Sequence, residues 1–239
     1  MIPKVINYCW FGKKDLPADV KKCIDSWKKF CPDYKIVRWD ESNFDVEAHE
    51  FTKKAYESKN WAFVSDYARL KVIYDNGGIY LDTDVELIKN IDFLLENKGY
   101  FGVQQEGNYI ATGLGFGSIK GNKIVKDMLN IYDSITFDEK NKMSIACPIL
   151  NTIPLEKYGY KYEDRIQDIN GCIIFPHKYF DPIAPGNAKY LLCDDTISIH
   201  HYTASWTKLN QRIKRKIIRV IGVNIIIKIK ERIKWRKIL

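Results

Sequence analysis

The stretch that most constrains this chain runs from residue 61 to 84, where an apolar helix pattern passes through two glycines into a short strand and an Asp-x-Asp. Ala62, Phe63, Tyr67, Leu70, Val72, Ile73 and Tyr74 give residues 61–76 a helix with more than one apolar face. Gly77-Gly78 ends it, glycine supplying a left-handed cap. Ile79-Tyr80-Leu81 then reads as a very short buried strand that leads directly into Asp82-Thr83-Asp84. Residues i and i+2 of a strand point the same way, so a turn at its end lets both carboxylates converge. Two convergent carboxylates suit a hard divalent cation that holds phosphate oxygens. An isolated Asp-x-Asp reads equally well as a solvated turn. Here, though, Asp66 and Arg69 stand at i, i+3 on one face of the preceding helix. That pair is either a surface salt bridge or the charged lining of a cleft.

The surrounding elements place this block in an α/β domain. Residues 4–10 read as a buried strand ended by Phe11-Gly12. Pro17 opens a helix with Val20, Ile24, Trp27 and Phe30 at helical spacing, stopped by Pro32, and residues 34–39 form a second strand. Strand, helix, strand is the opening of a sheet with parallel pairing. A surface helix is expected over 47–58. Strands follow near 100–105 and 109–118, a helix near 122–134, and a helix that includes 148–158. Further strands are expected at 172–175 and 196–201, the last leading to Ser205-Trp206. No repeat and no linker interrupts the chain before residue 207.

Net charge separates the body from its tail. The formal charge is +8, yet residues 208–239 hold 12 Lys+Arg against Glu231 alone, leaving the first 207 residues at about −3. The pI of about 9 therefore does not describe a nucleic-acid-binding body. None of the six cysteines forms a C-x-x-C pair, so no zinc knuckle is expected. The opening residues do not read as a signal peptide, and the uncharged run at 220–227 falls short of the ~20 apolar residues of a membrane span. The expectation is a reduced, cytoplasmic protein.

Ser65-Asp66-Tyr67-Ala68-Arg69 followed by Asn76-Gly77-Gly78-Ile79-Tyr80-Leu81-Asp82-Thr83-Asp84 resembles the signature of the family 32 glycosyltransferases, the DXD sugar-binding enzymes related to yeast mannosyltransferases and clostridial toxin glucosyltransferase domains. Ile2-Pro3-Lys4-Val5-Ile6 through Trp10-Phe11-Gly12 resembles the family's opening strand. His200-His201-Tyr202, with Ser205-Trp206, resembles its closing motif. One departure is Asn7-Tyr8-Cys9, where the family often carries histidine. The resemblance spans residues 2–206 and implies a GT-A fold: a single Rossmann-like nucleotide-sugar-binding domain with a mixed central sheet over 1–207, followed by a basic amphipathic segment over 208–239.

The resemblance also implies a chemistry and its residues. It implies transfer of a sugar, with retention, from a nucleotide-sugar (a UDP-sugar is the expectation) to a glycan or lipid-linked acceptor. Mn²⁺ or Mg²⁺ would be the cofactor, with Asp84 as direct ligand, Asp82 beside it and His201 as third ligand; His200 is the alternative, because adjacent strand residues face opposite ways. Asp66 and Arg69 would grip donor hydroxyls and Tyr80 would join them. Trp10 would offer its flat face to the base, and Ser205 and Trp206 would donate to the β-phosphate. From the residues themselves, Asn108, Thr112 and Gly113 lie in a glycine-rich strand that either borders the acceptor or only allows close backbone approach. The tail, with Ile213, Ile217, Val220 and Ile221 beside Arg215, Lys216 and Arg219, reads either as an anchor on an anionic membrane surface or as a solvated or oligomer-forming helix. The expected setting is bacterial surface-polysaccharide synthesis on the inner face of the cytoplasmic membrane, with a toxin-like protein glycosyltransferase as the alternative. A haloacid dehalogenase-type phosphohydrolase also uses a strand followed by Asp-x-Asp, but needs Thr or Val where this chain has Glu86.

Overall fold

In a computed structural model, residues 1–142, 144–185 and 189–203 are described. The opening forms β1 (Val5–Cys9), α1 (Ala18–Phe30) and β2 (Lys35–Trp39), with β1 and β2 parallel as the sequence predicts. Then come α2 (Glu50–Glu57), α3 (Trp61–Asn76), β3 (Gly78–Tyr80), β4 (Val85–Leu87), β5 (Gly99–Gly102), β6 (Phe116–Ser118), α4 (Lys123–Asp133) and α5 (Cys147–Glu156). The chain closes with β7 (Gln167–Ile169), β8 (Cys172–Phe175), α6 (His177–Phe180) and β9 (Ser198–His200).

Seven strands form one mixed sheet in the order β2-β1-β3-β6-β5-β8-β7, and β4 pairs with β9 in a separate two-stranded sheet. β3 is parallel to β1 and antiparallel to β6, which in turn is antiparallel to β5. β3 and β5 therefore end at the same margin, and Asp82 leaves the sheet there. Gly78 is what lets β3 lie against β1: a Cβ at that position would come within 2.9 Å of the Val5 carbonyl oxygen. Asn7 completes the junction, donating from Nδ2 to the Ile79 carbonyl at 3.2 Å and accepting the Trp39 indole N–H at 2.9 Å. The residue that departs from the family pattern thus ties three strands together.

Both faces of the sheet are covered. Phe51, Leu70, Ile73, Phe101, Phe116, Met128 and Tyr132 pack on one side, beneath the second to fifth helices. Ile6, Val20, Trp27, Ile79, Leu87, Tyr100 and Phe180 pack on the other. Trp27 is fully buried, worth about 1.5–3 kcal/mol or more by area. Its indole N–H also donates to the Val85 carbonyl at 2.8 Å, fastening α1 to β4.

Three local expectations are corrected. Gly77 has φ +71° but ψ −175°, so it carries the positive φ of a glycine stop with an extended ψ instead of a left-handed cap. The strand expected over 109–118 is confined to β6. Thr112–Leu114 is a 3₁₀ turn, and Gly115 at φ +123° swings the chain back into the sheet. The final strand ends at His200, one residue earlier than expected. Among the described residues no helix is long and apolar enough to cross a membrane. The tail 208–239, together with Ser205 and Trp206, lies outside the described residues.

Candidate metal and donor site

Asp82 leaves β3 into a setting built almost wholly by α3. Arg69 Nη2 lies 2.9 Å from Asp66 Oδ1 and 3.2 Å from Asp82 Oδ1, bridging the helix carboxylate to the first acid of the motif. Arg69 is 4% exposed and Asp66 8%, so the pair lines the interior and is no surface salt bridge. Arg69 Nε donates to the Ser65 carbonyl at 3.0 Å, and its guanidinium lies 5.0 Å from the centre of the Tyr80 ring. Burial pushes the Asp66 carboxyl up to about 6, against the pull of Arg69. It also raises Asp82, again opposed by Arg69 but reinforced by the nearby Asp84 charge.

Tyr80, expected to touch the donor, is 1% exposed, and its hydroxyl donates to Asp82 Oδ1 at 3.0 Å. That placement sets the ring in the interior beside Arg69, with only the hydroxyl reaching the Asp82 carboxylate. Gly113 is required for a related reason. A Cβ there would collide with Asp82 Oδ2 and lie 3.0 Å from Arg69 Nη1, so the Thr112–Leu114 turn reaches the acid only without a side chain. Thr112 faces inward, its hydroxyl 3.2 Å from Cys147 Sγ and accepting from Asn151 Nδ2 at 2.9 Å. Cys147 Sγ lies 4.0 Å from Arg69 Nη1, and burial, then the Asp66 charge, push its thiol up to about 12.

Asp84 is held from far along the chain. His200 Nε2 lies 2.9 Å from its Oδ1, while the backbone N–H and hydroxyl of Thr203 both donate to Oδ2, at 2.8 and 3.0 Å. Burial opposes ionisation of Asp84, yet the imidazole and the Thr203 donors prevail and hold its carboxyl well below the usual range. Burial likewise works against charging His200, and the adjacent Asp84 outweighs it, so the imidazole is raised. Of the two motif acids, Asp84 is the more readily ionised.

One ligand atom each from Asp82, Asp84 and His200 lies within 4.8 Å of the others. The expectation that His201 faces the acids is therefore corrected in favour of His200. Asp84 sits in the turn before β4, outside the strand alternation, so its side chain meets His200, while the paired strands settle where His201 goes. β4 and β9 pair antiparallel with Val85 opposite His200 and Glu86 opposite Ile199. Side chains alternate, so His201 emerges on the Glu86 side and sets its Nε2 2.7 Å from Glu86 Oε2. The His201 N–H also bonds the Asp84 carbonyl at 2.9 Å, which carries the pairing one residue further.

The remaining sequence candidates lie at varied distances from this centre. Trp10 follows β1, is half-buried against the α1 side, and donates its indole N–H to the Lys14 carbonyl at 2.6 Å. Asn108 turns the loop between Val103 and Ile110 with φ +52° and donates to the Tyr162 carbonyl at 2.9 Å. Sequence reasoning missed Thr203, Cys147 and Asn151, and used Glu86 only to exclude another enzyme class. Thr203 had a signal, since it directly follows the His200-His201-Tyr202 motif. Cys147 and Asn151 had none, because their place depends on how α5 packs.

A family model described as "Glycosyltransferase sugar-binding region containing DXD motif" matches residues 17–100. An uncharacterized glycosyltransferase, L373, of Acanthamoeba polyphaga mimivirus is 33% identical over 229 residues, covering 86% of this chain and 84% of its own. Inositol phosphoceramide mannosyltransferase 3 of Schizosaccharomyces pombe is 34% identical over 102 residues, 39% of this chain and 27% of that protein. Among solved structures, the PaToxG glycosyltransferase superposes with a TM-score of 0.53 at 21% identity, over 65% of this chain and 69% of that one, and has the same fold.

Proposed function

Because the chain belongs to the glycosyltransferases whose sugar-binding region carries a DXD motif, on a GT-A fold, we propose that it moves a sugar from a UDP-sugar to a glycan or lipid-linked acceptor, with retention and with a divalent cation. The observation that carries the metal part of this reading is the convergence of Asp82, Asp84 and His200 at the end of β3. Two carboxylates and an imidazole suit Mn²⁺ at least as well as Mg²⁺, which favours all-oxygen sites and keeps more of its water. Bound there, the ion would supply Lewis-acid neutralisation of the diphosphate leaving group.

The chain's own residues do the rest. Arg69 and Tyr80 hold Oδ1 of Asp82, and Thr203 holds Oδ2 of Asp84, so both acids are oriented before the donor arrives. Asp66 and Arg69 form the polar wall next to Asp82, where donor hydroxyls would be gripped. Gly113 keeps that wall open.

Two observations support a lipid-linked acceptor at an anionic surface. Residues 208–239 carry 12 cations against one acid, and each cation near such a surface contributes about 1 kcal/mol. The yeast relative is named for an inositol phosphoceramide acceptor. Bacterial surface-polysaccharide assembly on the inner membrane face is the setting that fits this reading, and flotation with anionic liposomes, with and without 208–239, tests the tail. Equal flotation of both forms would remove the membrane from the proposal.

A thermal-shift screen of nucleotide-sugars with and without Mn²⁺ tests donor and metal together, since a ligand at 100 times its Kd stabilises by about 2.7 kcal/mol. The expected result is a Mn²⁺-dependent shift with UDP-sugars. A larger shift with a guanosine diphosphate sugar would overturn the donor assignment, and an identical shift without metal would overturn the cation. Product anomeric configuration, read by NMR, tests retention.

A further inference from the structure

A further carboxylate at the same end of the molecule, Asp181, has no part in the reading above. It follows α6 and is 1% exposed. Its Oδ2 accepts the backbone N–H of Gln105 at 2.8 Å, and its Oδ1 accepts the hydroxyl of Tyr202 at 2.8 Å. Its own carbonyl accepts Gln105 Nε2 at 2.8 Å. One side chain thus joins the loop after β5 to the segment after β9.

What it holds there is an unusual backbone. Tyr202 has φ +47°, a left-handed conformation that a bulky residue rarely adopts and that persists only where the surroundings enforce it. The residues on either side of that reversal are the two that grip Asp84. His200 lies before it, its ring centre 4.1 Å from that of Tyr202, and Thr203 lies directly after it. If the Tyr202 backbone relaxed to negative φ, the Thr203 N–H would turn away from Asp84 and the ring would leave His200. A carboxylate suits the anchoring position because donors reach it from two segments and it offers an accepting oxygen to each. An amide would present N–H groups to one of them.

We propose that Asp181 is a positioning residue for the candidate cation site, acting through the Tyr202 hydroxyl to hold the reversed backbone that delivers His200 and Thr203 to Asp84. The consequence for metal affinity rests on the cation reading given above; the backbone latch itself does not.

The test compares Tyr202→Phe, which removes a single hydroxyl, with Asp181→Asn and with the double variant. Tyr160→Phe is the control, since it removes a half-buried hydroxyl that donates to the Asn108 carbonyl at 2.5 Å in another part of the fold. Amide hydrogen exchange of Thr203 in the metal-free protein reads the latch, and a Mn²⁺ titration followed by EPR in the presence of UDP reads its consequence. Each latch variant is expected to speed Thr203 exchange and to weaken Mn²⁺ binding about tenfold, as loss of an outer-shell partner does. The double variant should be no worse than Asp181→Asn, because both act through one bond, and Tyr160→Phe should match wild type. Wild-type Thr203 protection or wild-type Mn²⁺ affinity in Tyr202→Phe would overturn the proposal. So would losses that multiply in the double variant, or an equal loss in Tyr160→Phe. Failure of the cation reading looks different: wild type and Asp84→Asn would take up Mn²⁺ alike, and Thr203 exchange would still decide the latch.

Discussion

Asp82 and Asp84 stand two residues apart yet belong to clusters assembled in opposite ways. Asp82 is held by Arg69 and Tyr80, both within the helix-glycine-strand block that precedes it. Asp84 is held by His200 and Thr203, 116 and 119 residues further along the chain. The first cluster is a local device: whenever α3 and β3 form, a guanidinium already sits between two acids. The second exists only once β9 has paired with β4. Charge compensation is therefore built into the Asp-x-Asp block itself, whereas completing the candidate cation site depends on closure of the whole domain.

That contrast can be broken most forcefully at Asp84. Asp84→Asn should lower sugar transfer about 10³-fold, the scale of several kcal/mol of leaving-group stabilisation, while circular dichroism shows a folded chain. Retained transfer would place the essential acid in the local cluster instead. Next, Arg69→Met should cost about 3 kcal/mol in urea unfolding, because it leaves the buried Asp66 and the partly buried Asp82 without their cation. A loss below 1 kcal/mol would mean the local cluster is not the structural one.

His200→Ala and His201→Ala sharpen the comparison within one motif. The first should weaken Mn²⁺ binding by about tenfold or more, on the order of a lost metal-site contact. The second breaks only the half-exposed pair with Glu86, worth about 0–1 kcal/mol, and should leave metal binding unchanged. Reversed effects in a calorimetric titration would reinstate His201. Smaller still, Gly113→Ala should cost about 1–3 kcal/mol by crowding Asp82, with the Mn²⁺ site less affected than donor binding. An unchanged melting temperature would show that the turn can yield.

The same contrast explains what could be read from the residues alone. α3 is found over the residues its apolar pattern predicts, because a long helix stopped by two glycines carries its own boundaries. The Asp66–Arg69 pairing was legible for the same local reason, whereas the mixed sheet came only with the family resemblance. The choice between His200 and His201 was not, since it turns on how Asp84, in the turn before β4, meets a strand more than a hundred positions away. Neither were β4, β7 and α6, since three or four residues are too few to show a period. Tyr80 was legible only in part, because its apolar neighbours reveal burial, but not whether its hydroxyl faces a ligand or a neighbouring acid.

The Trp27 indole that bonds the Val85 carbonyl carries a practical lesson. Through it the first thirty residues brace the very two-stranded sheet on which His200 rides. Anyone trimming, tagging or grafting this protein should treat its amino-terminal helix as a girder of the candidate cation site, and damage there should surface first in the contact between His200 and Asp84.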